Sequence, residues 1–158
     1  MSSASMEGVS PRLPGPALRS ALAVLGSIVV GAGVMFAVQA ANFALFPPPA
    51  GLDYDDPEQL RQIVDAMPPA ALWMLESSYV LGCVAAGVVL AASTRGRTRG
   101  RAVVVGGIFT LLGVVNLTQF PAPLWLAVLS TLTYLPATLL GAWSAARWRS
   151  VRRRGAVA

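Results

Sequence analysis

Glu76 is the residue that asks for a chemical explanation. It is the only acidic side chain in the apolar run Ala71 to Ser93 (ALWMLESSYVLGCVAAGVVLAAS), and no apolar run of the chain holds a basic partner for it. A carboxylate about one turn inside a membrane is costly unless it is paired, protonated or facing water, and such residues mark proton relays and ion sites. Other polar side chains fall where an antiparallel bundle brings them to the same depth. They are Gln39 and Asn42 at the end of the first apolar run, Ser77 and Ser78 beside Glu76, and Asn116, Thr118 and Gln119 at the end of the third. Glu76, Gln39, Asn42, Asn116 and Gln119 form the candidate polar cluster. Its chemical use is to relay a proton or hold a cation between helices. Its structural use is to let Glu76 accept hydrogen bonds from Gln39, Asn42 or Asn116, or reach the interface; the nearness of the interface favours this second use.

Other chemistry is sparse. Cys83 is the single cysteine and histidine is absent, which sets aside thiol oxidases that need a cysteine pair and cytochromes that hold haem between two histidines. Neither a Ser-His pairing nor a phosphate-binding glycine loop is present. Asp53, Asp55 and Asp56 resemble the start of a calcium loop. Counted from Asp53, however, Pro57 and Gln59 occupy the fifth and seventh positions, and Val64 stands where the bidentate Glu belongs. Asn116-Leu117-Thr118 matches a glycosylation sequon but lies at or in the membrane, and is set aside. No catalytic residue, cofactor or metal site is expected, so the chain reads as non-enzymatic.

The elements that position the cluster follow from composition. The 158 residues are 55% hydrophobic and 12% charged, against about 25% charged in ordinary soluble domains, and the mean hydropathy is +0.63. This is an integral membrane protein by composition. Residues 1–16 are small, polar and proline-containing and read as a disordered tail. Four membrane spans are expected at about 20–46, 71–93, 102–119 and 124–146, each near or above the roughly 17 residues needed to cross. The first run is about twice the length of a signal-peptide core, so it is read as a retained span although VQAA near Gln39 could mark a cleavage site. Phe120-Pro121-Ala122-Pro123 cannot continue a helix and joins spans three and four as a tight hairpin. The fold class is an all-α antiparallel four-helix transmembrane bundle, with domain limits 17–147 and a basic tail at 148–158.

Every basic residue is arginine. With four spans, eleven of the twelve fall on one side and only Arg61 on the other. By the positive-inside rule both termini are cytoplasmic, and so strong a bias argues against insertion in both orientations. Arginines at the ends of apolar runs signal topology and not a nucleic-acid groove, and they offer an inner face to anionic lipid. The first outer loop carries five of the seven acids. There, Asp56 before Pro57, Glu58 and Gln59 reads as an N-cap, a first-turn proline and a capping-box partner. Leu60, Ile63, Val64 and Met67 lay an apolar stripe on a short amphipathic helix at about 57–67, stopped by Pro68 and Pro69. It is expected on the outer membrane surface or over the mouth of the bundle.

Within the spans, Ser78, Gly82 and Ala86 form a small-residue ladder, and Ser27 and Gly31, with Gly26 and Gly33 beside them, form another. Trp73, Trp125 and Phe120 mark the outer interface, and Trp143 and Trp148 the inner one. Pro136 frees a backbone carbonyl in span four, which a nearby hydroxyl of Thr131 or Thr133 can offset.

FPPPAGLD after span one and NLTQFPAPLW between spans three and four are similar to the matching segments of a family of small, uncharacterised bacterial four-span integral membrane proteins with a Pro-Pro-Pro-x-Gly-Leu-Asp first loop. The similarity covers about 21–146. It implies a four-span fold in a bacterial cytoplasmic membrane and no particular activity. Relatives often carry an acidic residue and a histidine shortly before the proline run, where this sequence has Gln39 and Phe43. Any role of those groups is lost or replaced here. The expected function is that of an accessory or scaffold protein, with a membrane protein partner or a second copy of the chain as its contact. The alternative is a small oligomeric transporter or channel using Glu76 and the outer polar cluster.

Overall fold

The computed structural model describes residues 15–49, 51, 56–94 and 98–155, which form five helices and, among these residues, no strand. They are α1 (Pro16–Leu45), α2 (Pro57–Ala66), α3 (Pro69–Ser93), α4 (Thr98–Leu117) and α5 (Leu124–Gly155). Four of them, α1, α3, α4 and α5, are long and apolar enough to cross a membrane. At about 1.5 Å per residue even α4, the shortest of these at 20 residues, matches a hydrocarbon core of roughly 30 Å. The chain is an all-α four-helix membrane bundle.

Prolines set the boundaries. Pro16, Pro57 and Pro69 each open a helix, where a missing N–H costs nothing. The Asp56 carboxylate accepts the Glu58 backbone N–H at 3.0 Å, and the Gln59 amide closes back onto it at 2.8 Å. The bond from Gln59, then the backbone N–H of Glu58, hold the Asp56 carboxyl below its usual pKa. Gly51 stands at φ 83, a left-handed backbone that a side chain would strain, which explains the glycine after the proline run. Ile63 and Val64 are buried, and Ile63, Ala66 and Met67 share a cavity of about 270 Å³ with Leu45, Phe46 and the prolines 47–49. The apolar side of α2 thus faces Leu45 and the proline run that follows α1.

Consecutive spans run antiparallel, and α3 stands at the centre between α1 and α5. Contacts such as Tyr79 with Tyr134 and Trp73 with Trp125 show that α3 and α5 lie side by side and parallel. Small residues make this possible. A methyl group added at Gly87 would fall on the Thr138 carbonyl, and one at Gly141 on the Val84 carbonyl. On the other side of α3, Gly82 and Gly31 bring α1 equally close. Gly26 and Gly33 do not share that work, because the space over each is open. The helix α4 leans on α5, with Gly106 against Leu135 and Gly113 against the Tyr134 ring.

One segment differs from expectation. The basic stretch read as a tail from residue 148 continues α5 as helix to Gly155. Arginine is a good helix former, cations suit a helix C-terminus, and Arg147 over Trp143 and Arg152 over Trp148 add stacked pairs one turn apart. The amino-terminal tail lies outside the described residues up to residue 14, and Pro16 already belongs to α1. Pro136 sits inside a continuous α5. The Thr131 and Thr133 hydroxyls donate to Ala127 and Leu129 at 2.8 and 2.6 Å, not to Leu132, the carbonyl that Pro136 leaves without its usual donor.

Candidate functional site

Because α3 begins at Pro69, Glu76 lies two turns into the helix, about 10 Å from its start. It is 4% exposed. The side chain therefore does not reach the interface; it turns into the seam between α3 and α5. Its partner there is Ser130, whose hydroxyl meets Glu76 Oε2 and also lies 2.8 Å from the Leu126 carbonyl. One hydroxyl proton is thus offered two acceptor oxygens. The other carboxylate oxygen, Oε1, is buried with no hydrogen-bond partner among the described residues.

The amide side chains expected to serve Glu76 serve its neighbours instead. Asn42 on α1 donates to the Ala71 carbonyl at 3.1 Å, and its own Oδ1 is buried and unpartnered. Gln39, one turn earlier on α1, faces the Tyr79 hydroxyl. These contacts fall on either side of Glu76 along α3, so α1 and α5 close over that helix from two directions. Asn116 reaches the same level from α4. It lines a small cavity of about 10 Å³ with Tyr79, Ser130 and Tyr134, which is roughly the space of one water. Gln119 stays apart: it is exposed in the turn after α4, its backbone N–H on the Asn116 carbonyl at 3.0 Å.

Sequence reasoning missed Ser130. Nothing distinguishes it in the run Ser130, Thr131, Thr133 until the parallel register of α3 and α5 sets it opposite Glu76. Tyr79 and Tyr134 were also overlooked as members of the site. Their rings lie 5.5 Å apart, and both line the small cavity beside Ser130. The aspartates Asp53 and Asp55 lie outside the described residues, and among the described residues no group of acids, histidines and cysteines gathers as a metal site.

At the opposite end of the bundle, arginines bind helix to helix. Arg101 donates to Ser20 on α1 at 3.0 Å, and Arg149 approaches the Ala92 and Thr94 carbonyls at 3.5 Å. The last pair covers the C-terminus of α3, where unsatisfied carbonyls concentrate negative potential.

Compared with family models, with curated proteins and with solved structures, the chain matches none.

Proposed function

We propose that this chain works by association within a bacterial cytoplasmic membrane, as a non-enzymatic accessory or scaffold protein with its arginine-rich end in the cytoplasm. The observation that carries this reading is the outer face of α1. Gly26, Gly33 and Ala40 recur there at seven-residue spacing and are exposed, with open space over both glycines. Seven-residue spacing of small residues keeps one face towards a neighbouring helix and lets backbones approach closely in lipid. Phe36, 77% exposed, stands beside this stripe. Inside the bundle, by contrast, the buried hydroxyls of Ser27, Ser78, Ser130 and Thr138 are each hydrogen-bonded to a backbone carbonyl of their own helix. The arginine bias of eleven to one supports the orientation.

A photoreactive residue at Phe36 tests the reading in native membranes, with Phe109, which is buried, as the control position. The expected product is an adduct between Phe36 and a different polypeptide. Adducts with lipid alone would overturn the proposal. Adducts only with a second copy would favour the second reading, an oligomeric transporter or channel. The buried, unpartnered Oε1 of Glu76 supports that alternative. It requires that Glu76→Gln abolish a proton- or cation-coupled flux in liposomes.

A further inference from the structure

A groove of about 360 Å³ lies between the start of α4 and the last turns of α5 within the membrane, lined by Thr98, Arg99, Leu139, Ala142, Trp143 and Ala146. From this groove we infer a binding site for one anionic glycerophospholipid, its phosphate at Arg99 and Arg147 and its glycerol and upper acyl chain along α5.

Its volume falls in the range of ligand sites, about 300 to 1,000 Å³. Chemistry divides it in two. Leu139, Ala142 and Ala146 are apolar and follow α5 towards the membrane centre, whereas Arg99 stands at the first turn of α4. Trp143, exposed at the groove wall, carries the Arg147 guanidinium 5.4 Å from its ring centroid. Two cations therefore border one apolar groove, Arg99 in its lining and Arg147 stacked on its Trp143 wall.

These two arginines differ from their neighbours. Arg101 and Arg149 are used within the fold. Among the described residues, the Arg99 guanidinium has no hydrogen-bonded or ionic partner, and the Arg147 guanidinium has only the Trp143 ring. The sequence segments leading into this end of the bundle, 1–19, 94–101 and 147–158, hold eleven arginines and one acid, Glu7. The charge must be met from outside the chain. A free anion would answer the arginines but leave the apolar floor bare, whereas a lipid answers both. Basic pockets between membrane helices recognise anionic headgroups in this way.

The test is native mass spectrometry of the full chain in detergent, titrated with phosphatidylglycerol and phosphatidylcholine of the same acyl chains. About fivefold per arginine is the scale for cations near a membrane surface, so wild type should retain phosphatidylglycerol at least tenfold better. Arg99→Gln with Arg147→Gln should bring the two lipids within about twofold, while Arg152→Gln keeps the preference. Ala146→Trp, which fills the groove and spares the charges, should also remove retention. Equal retention of both lipids by wild type would overturn the site. So would an Arg152→Gln loss as large as that of the pair, which indicates diffuse charge, or displacement of the lipid by inorganic phosphate, which indicates a free-anion site.

Discussion

Ser130 on α5 meets Glu76 on α3 across a parallel helix pair, and its single hydroxyl proton faces both the carboxylate and the Leu126 carbonyl. In Glu76→Gln an amide N–H can donate to Ser130 Oγ, freeing the hydroxyl for Leu126. Glu76→Gln should therefore leave stability unchanged or raise it. Ser130→Ala should cost about 1 to 2 kcal/mol, because it strands a buried acceptor. In a double-mutant cycle read by unfolding in detergent, the pair should couple by roughly 0.6 to 1.7 kcal/mol, the range of interhelical hydrogen bonds in lipid. A coupling near zero would mean that the two side chains are neighbours and no more.

The seam that holds this pair depends on Gly87 and Gly141. Gly87→Val places its side chain on the backbone of α5, where no rotamer change can relieve it. The expected cost is about 3 kcal/mol, at the upper end for overpacking, or loss of the monodisperse folded protein. Gly26→Val should be tolerated in the isolated chain, since nothing stands over that position. Equal behaviour of the two variants in size-exclusion chromatography and thermal unfolding would contradict the parallel packing of α3 and α5.

The contrast between those glycines shows what a sequence can and cannot mark. Spans and their ends were legible because lipid demands unbroken apolar helices and because Pro57, Pro69 and the Phe120 to Pro123 turn interrupt them. The inward face was legible only in part: the Ser27-Gly31 and Ser78-Gly82-Ala86 ladders do meet, but elsewhere both the packed and the lipid-facing sides are apolar. Gly26 and Gly87 look alike until their neighbours are known. Glu76 stood out as an isolated charge, but its partner did not, because Ser130 is one of several hydroxyls in α5. Asn42 and Gln39 meet α3 at Ala71 and Tyr79, on either side of Glu76, and Asn116 lines a small cavity with Ser130, while Gln119 is left in the turn. The helical arginine tail was hidden for another reason: a run of like charges reads as a solvated end, and its stacking on Trp143 and Trp148 needs the helix to exist first.

The start of α2 should respond to acid. Asp56 has a lowered pKa because its carboxylate accepts from Gln59 and from the Glu58 backbone. A depressed carboxyl stabilises the fold above its unfolded value of 3.8, and that contribution disappears as pH falls through the lower folded value. Hydrogen exchange at the Glu58 and Gln59 amides, corrected for intrinsic rate, should lose protection over that acidic window. Asp56→Asn should retain protection there, since an amide oxygen also caps, and Asp56→Ala should lack it at every pH. An Asp56→Ala profile indistinguishable from wild type would show that the prolines alone fix the helix.

Orientation can be read with two cysteines. Cys83 is fully buried in the seam between helices, so a maleimide should not label the native chain. In a Cys83→Ser background, Glu58→Cys on α2 and Ser150→Cys on α5 place single thiols on exposed positions at opposite ends of the bundle. With eleven arginines at the Ser150 end, the positive-inside rule puts that end in the cytoplasm. A membrane-impermeant maleimide should then label Glu58→Cys in intact cells and label Ser150→Cys only after permeabilisation. The reverse pattern would place the arginines outside, and labelling of both in intact cells would mean that the chain inserts both ways. In either case anionic lipid of the inner leaflet would not be the uniform neighbour of the groove beside Arg99 and Trp143.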